Sequence, residues 1–202
     1  MDRNWTIPNL LTIARILLTP GFVMAFLAQR FDIAWGLFAV AGLTDALDGF
    51  LARVLHQRSL LGSILDPLAD KVLLVTSFIC LTQGGWLPGW ICVLVVSRDI
   101  IIVGGLAVLH FWGVNVRDRI HPSKISKATT GFQVLLVFFV MIQKTFDWDF
   151  PGWQTAILVV TAALTLASGA HYVLRGVGLF SENGEPHYAK KNPGENSPGS
   201  SD

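Results

Sequence analysis

Charge is scarce in this chain. Only 14% of its 202 residues are Asp, Glu, Lys or Arg, and the signs nearly cancel to a net +1. That balance gives no electrostatic footprint for nucleic acid, and no nucleic-acid partner is expected. Cysteine is scarcer still. Cys80 and Cys92 both lie inside apolar runs, so they read as packed thiols and not as a disulfide or a metal site. The start, "MDRNWTIPNLLTIARILLTP", carries Arg15 inside its apolar run and shows no small-residue cleavage site. No cleavable signal peptide and no transit peptide are expected from it.

Apolar length takes the place of charge. Hydrophobic residues make up 52% of the chain and its mean hydropathy is +0.53, more than a soluble domain of this size needs to build a core. The runs predict an all-α integral membrane protein with six transmembrane helices. Their expected extents are about 8–28, 33–55, 64–82, 90–112, 128–143 and 155–174. "QGGWLPGW" and "KTFDWDFPGW" read as turns with aromatic anchors at the membrane surface. From Ser181 the composition turns to Gly, Pro, Ser and Asn. Residues 1–180 are therefore expected to form the membrane domain and 181–202 a disordered cytoplasmic tail, too polar to offset its ordering entropy.

The basic residues orient this array. Arg3, Arg53, Arg58, Arg117, Arg119, Lys124, Lys127, Arg175, Lys190 and Lys191 fall on one side of a six-span chain, against Arg30 and Lys144 on the other. The excess places both termini in the cytoplasm, together with the connection between the second and third spans.

That connection is flanked by four carboxylates. Asp45 and Asp48 are three residues apart, and Asp66 and Asp70 are four apart, so each pair shares a helix face. A short link makes the two helices antiparallel neighbours, and the pairs can converge. Four bare carboxylates near lipid repel one another and need a cation. Hard divalent ions take oxygen ligands, and two Mg²⁺ or Mn²⁺ ions are a usual device for holding a pyrophosphate during displacement. Gly49 and Gly62 leave room for a ligand or another helix beside the carboxylates, Ala52 leaves nearly as much, and Arg53 is one turn from Asp48. Taken alone, such glycines more often serve helix packing, and a lone carboxylate is often a structural hydrogen-bonding group. Four together, converging from two helices, argue against so bland a role. An aspartyl protease would need two carboxylates sharing a proton, not four. An ion-coupled transporter would hold its acidic site near the bilayer midplane, on broken helices.

The pattern D-x-x-D-G-x-x-A-R, eight residues, then G-x-x-x-D-x-x-x-D, met here as Asp45, Asp48, Gly49, Ala52, Arg53, Gly62, Asp66 and Asp70, resembles the motif of the CDP-alcohol phosphatidyltransferases at every fixed position. "IPNLLTIARILLTP", "SRDIIIVGG" and "SKATTGFQ" are similar to other helices of that family. The resemblance implies a six-helix fold, a homodimer, and a polar cavity open to the cytoplasm. It implies two divalent metals on Asp45, Asp48, Asp66 and Asp70, with Asp70 as general base. It implies CDP-diacylglycerol bound by Asp45, Asp48, Gly49, Ala52, Arg53 and Gly62, and a lipid or small-molecule alcohol as acceptor. Asn9, Thr12, Arg15, Arg98, Lys127 and Thr130 are the candidate acceptor contacts. Physical reasoning alone does not choose Asp70 over Asp66 as the base.

The acceptor is open between two branches that share the "PN-x-LT-x-x-R" opening. One uses glycerol 3-phosphate and makes phosphatidylglycerophosphate; the other uses phosphatidylglycerol and makes cardiolipin. The first branch usually carries R-E on the fourth helix with a further Arg eight residues after the first, and K-x-K-T before a Gln on the fifth. Here Asp99 follows Arg98, Leu106 stands eight residues on, and Thr129 holds the second Lys position before Thr130 and Gln133. A phosphomonoester near −2 needs such cations more than a diol does, so phosphatidylglycerol is the favoured acceptor, unless Lys124, Arg117 or Arg119 supplies the charge. "GLFAVAGLTDALDGFLAR" and "ISK-x-x-T" also resemble the cardiolipin-forming branch. A bacterial inner membrane is the expected location, with the site on the cytoplasmic side.

Overall fold

The computed structural model describes the backbone of residues 7–55, 60–111 and 124–183, and side chains over 12–45, 68–105 and 125–174. Among the described residues the chain is all helix, with six helices and no strand. They are α1 (Ile7–Leu27), α2 (Phe31–Leu55), α3 (Leu60–Gln83), α4 (Gly89–Phe111), α5 (Lys124–Thr145) and α6 (Pro151–Asn183). Each predicted span falls within one of them, give or take a terminal residue. The largest departure is α6, which runs to Asn183 and so crosses the boundary expected at residue 180. Residues 184–202, most of the predicted tail, lie outside the described residues.

Three tight turns close one end of the array. The α1–α2 turn puts Gln29 in the left-handed region (φ 58°), and the α5–α6 turn does the same with Asp147 (φ 57°). In the α3–α4 turn Gly85 takes φ 72°, a conformation that a Cβ would strain. Aromatic rings fill the space beneath: Phe26 and Phe31 both meet Trp86 edge-on, with centroids 5.2 and 4.6 Å away. Gln154 donates to the Trp86 carbonyl at 3.0 Å, and Thr145 to the Phe31 carbonyl at 3.3 Å. These contacts tie α6 to the α3–α4 turn and α5 to α2. At the same end Arg30 bonds Asp32 and holds its carboxyl below the ordinary range.

Below that cap, α1 packs on α2 and α3, α5 on α6 and α2, and α4 on α6 and α3. The core holds Phe22, Phe38, Phe78, Leu81, Ile91, Val95, Leu136, Val140 and Met141. Both cysteines are free thiols, as expected, with Cys80 buried. Polar side chains are buried too, and they join helices. Thr129 donates to the Ile125 carbonyl of its own turn (2.8 Å) and to Leu164 of α6 (3.1 Å), and Gln133 donates to Thr165 at 3.3 Å. In membrane proteins a bond between helices contributes about 0.6 kcal/mol on average.

The outside is correspondingly apolar. Leu17, Met24, Leu27, Val93 and Leu174 are each about 70% exposed, a surface that suits lipid and not water. Two helices, Ile125–Thr145 and Pro151–Leu174, are long and apolar enough to cross a membrane among the described residues, and Thr12–Leu27 is a shorter apolar stretch. The two helices that carry the motif, α2 and α3, set charged residues within their apolar runs.

Candidate active site

Three helices meet at one charged point. α1 brings Arg15, α2 brings Asp45 and α3 brings Asp70. Arg15 Nη1 lies 3.2 Å from Asp45 Oδ1 and also bonds Asp70 Oδ1. The guanidinium is 1% exposed, while the two carboxylates are 52% and 40% exposed. A buried cation is tolerated when counter-charges meet it, and here they meet it from the wetter side. One turn on, the Thr19 hydroxyl donates to the Arg15 carbonyl at 3.1 Å, next to Pro20, which has no amide hydrogen of its own to offer.

These residues line a cavity of about 310 Å³. Arg15, Asp45, Asp70, Lys71 and Thr130 supply its polar wall, and Phe38, Ala41, Leu73, Leu74 and Val134 its apolar one. Gly42 also lines it, and a Cβ there would enter open space. A polar floor beside an apolar wall can hold a charged head and the start of an acyl chain together.

The rest of the motif is placed by backbone alone. Asp48, Gly49, Ala52 and Arg53 are on α2, and Gly62 and Asp66 on α3; their side chains lie outside the described residues, as does that of Asn9. Among the described residues no three carboxylate, His or Cys side chains form a metal-binding group. The two described motif carboxylates nonetheless suit a divalent ion. Both are hard oxygen donors, both are partly exposed, and they already converge on a single cationic nitrogen.

The acceptor candidates divide. Thr130 lines the cavity. Lys127, one turn before it, is exposed, and Thr12 is fully buried in α1. Arg98 is 4% exposed and does not line the cavity. It donates to Asp99 Oδ1 at 2.7 Å, to Ser126 of α5 at 2.6 Å and to Ser168 of α6 at 2.9 Å. Thr129 is buried against α6 and faces away from the cavity its neighbour Thr130 lines.

Sequence reasoning left Lys71 unassigned. It lines the cavity beside Asp70 and pairs with Asp99 Oδ1, the oxygen that also accepts from Arg98. Its position directly after the last motif carboxylate was the available signal. Nothing local in the sequence indicates that α3 and α4 meet there.

Comparison with known proteins fits this geometry. A family model, CDP-alcohol phosphatidyltransferase, matches residues 5–167. The chain belongs to that family, a class of transferases acting in phospholipid synthesis and associated with membranes. It is 36% identical over 185 residues to a CMP-forming cardiolipin synthase of Rattus norvegicus, covering 85% of this chain and 61% of the relative. It is 33% identical over 190 residues to the chloroplastic CDP-diacylglycerol–glycerol-3-phosphate 3-phosphatidyltransferase 1 of Oryza sativa, covering 86% and 58%. A putative cardiolipin synthase of Mycobacterium tuberculosis is 34% identical over 135 residues, covering 66% and 63%. The chain thus spans about three-fifths of the length of these relatives.

Proposed function

We propose that this chain transfers the phosphatidyl group of CDP-diacylglycerol to phosphatidylglycerol, forming cardiolipin and releasing CMP. The observation that carries the transfer is the clasp of Arg15 on Asp45 and Asp70, which draws the two halves of the motif to one cavity. Asp45, Asp48, Asp66 and Asp70 would hold two divalent cations, Mg²⁺ or Mn²⁺. Such ions supply charge to a pyrophosphate and its leaving group.

The chain's own groups do the rest. Asp45, Asp48, Gly49, Ala52, Arg53 and Gly62 bind the CDP end, with small residues letting it approach α2 and α3 and Arg53 pairing with a phosphate oxygen. Asp70 takes the proton from the acceptor hydroxyl. The new bond joins that oxygen to the phosphatidyl phosphorus, and the bond from phosphorus to the CMP oxygen breaks. The apolar wall of Phe38, Leu73 and Leu74 keeps bulk water from competing.

The acceptor assignment is supported by the neutral Leu106, where the glycerol 3-phosphate branch usually carries Arg; Thr129, turned toward α6, carries no weight in it. The names of the rat and mycobacterial relatives agree with it. The rice relative, whose name specifies glycerol 3-phosphate, favours that acceptor as a second reading. Asn9, Thr12, Arg15, Lys127 and Thr130 stand as its proposed surroundings, and Arg98, held by Asp99, Ser126 and Ser168, stands behind them.

We also infer six membrane spans, α1 to α6, in a homodimer of a bacterial inner membrane, with both termini, the site and a polar tail beyond the last helix in the cytoplasm. The excess of Lys and Arg on that side supports the orientation. Purified protein given CDP-diacylglycerol with each acceptor in turn tests the reaction. Cardiolipin and CMP in equal amounts are expected; phosphatidylglycerophosphate alone would transfer the assignment to the second reading.

A further inference from the structure

Two cations line the cavity among the described residues, and they differ in what they can still do. Arg15 is buried, and Asp45 and Asp70 share its guanidinium. Lys71 is 39% exposed, and its described partner is one oxygen of Asp99. An ammonium has three donors on a flexible stem, so the pair with Asp99 leaves donors for a ligand. Lys71 also follows Asp70 directly in α3, and both line the same space. An alcohol whose hydroxyl reaches Asp70 therefore brings its other polar groups near Lys71.

Asp99 sets where that ammonium stands. Its Oδ1 accepts from both Lys71 and Arg98, and Arg98 is fixed to Ser126 of α5 and Ser168 of α6. The position of Lys71 is thus determined by three neighbouring helices. Asp99 also offsets the charge it positions. A lysine already paired with a carboxylate attracts one negative charge adequately and two poorly, because the second must also overcome the repulsion of Asp99.

We propose that Lys71 contacts the phosphodiester of the acceptor, and that Asp99 is a positioning residue that aims Lys71 and tunes it toward a singly charged phosphate over a phosphomonoester. This rests on the acceptor assignment above for its choice of ligand. Arg98 becomes the anchor of the device and not a ligand contact.

The test uses purified full-length protein in mixed micelles, with KM for phosphatidylglycerol and for CDP-diacylglycerol measured separately and turnover of glycerol 3-phosphate compared with that of phosphatidylglycerol. Lys71→Gln is expected to raise the phosphatidylglycerol KM about tenfold or more, as loss of a charge-assisted contact does, with the CDP-diacylglycerol KM within about twofold. Lys71→Arg should recover most of that loss. Asp99→Asn should raise the glycerol 3-phosphate to phosphatidylglycerol turnover ratio about tenfold, and Asp99→Glu should restore it. If Asp99→Asn does not fold, the Arg98→Gln, Asp99→Asn pair removes both buried charges together, and the same ratio is read.

An unchanged acceptor KM in Lys71→Gln, or equal rises in both KM values, overturns the contact. An unchanged turnover ratio without Asp99 overturns the tuning. A wild type that uses glycerol 3-phosphate alone overturns the acceptor assignment and the role of Asp99. The Lys71 contact is then decided by the glycerol 3-phosphate KM, where a tenfold rise in Lys71→Gln upholds it and no change overturns it.

Discussion

Arg15 Nη1 stands 3.2 Å from Asp45 Oδ1, thirty residues on in the chain and on a different helix, and the same nitrogen bonds Asp70. One buried guanidinium thereby joins the first and last carboxylates of the motif. Removing it should separate them. Arg15→Gln is expected to lower thermal stability by less than the roughly 3–5 kcal/mol of a fully buried pair, since both carboxylates are partly exposed. Mg²⁺ should then stabilise the variant more than the wild type, because the carboxylates have lost their other cation. Unfolding in detergent with and without Mg²⁺ reads both effects; equal stability in every condition would remove Arg15 from the role of clasp.

Metal dependence follows from the carboxylate set. Asp45→Ala, Asp48→Ala and Asp66→Ala should each abolish turnover, and a chelator should do so reversibly in the wild type. An Asp48→Ala protein that works normally in chelator contradicts the two-metal site.

Asp70 separates binding from chemistry. Asp70→Asn keeps the shape of the side chain and cannot take a proton. Its rate should fall about a hundredfold or more, as for loss of a general base, while much of the CDP-diacylglycerol affinity remains. Equal loss of affinity would make Asp70 chiefly a ligand; near-normal turnover would exclude both roles.

The helices and the motif were legible in the sequence because both are local signals. Apolar run length located α1 to α5 within a few residues and α6 apart from its extension to Asn183, and spacing alone put Asp45 and Asp70 on adjacent helices. What escaped were contacts between helices far apart in the chain. Arg98 looked like a ligand contact, but Ser126 and Ser168 claim its guanidinium from α5 and α6. Thr129 looked like a missing cation position, yet it is buried against the Leu164 carbonyl. Lys71 was assigned no role from the sequence, and only the meeting of α3 and α4 gives it Asp99 as a partner. Which face of a helix meets which neighbour is decided by packing over tens of residues, and no short pattern encodes it.

The placement of Thr129 has its own consequence. Thr129→Lys puts a charge and a longer side chain between α5 and α6, where a hydroxyl now makes two bonds. It should destabilise the protein by a few kcal/mol, about what overpacking and a buried charge cost, and should not create glycerol 3-phosphate specificity. A stable Thr129→Lys variant with that new specificity would mean Thr129 faces the acceptor.

Orientation is checked by a cysteine at Ser59 in a background lacking Cys80 and Cys92. It should react with impermeant thiol reagents only once the cytoplasmic side is opened. Labelling in intact cells would invert the array.

The most direct measurement is a product analysis. Purified protein with CDP-diacylglycerol, Mg²⁺ and phosphatidylglycerol should yield cardiolipin and CMP one for one, lose that activity in chelator, and turn over glycerol 3-phosphate poorly. Efficient phosphatidylglycerophosphate formation with no cardiolipin would contradict the acceptor, and cardiolipin formed without release of CMP, or no product with either alcohol, would contradict the transferase itself.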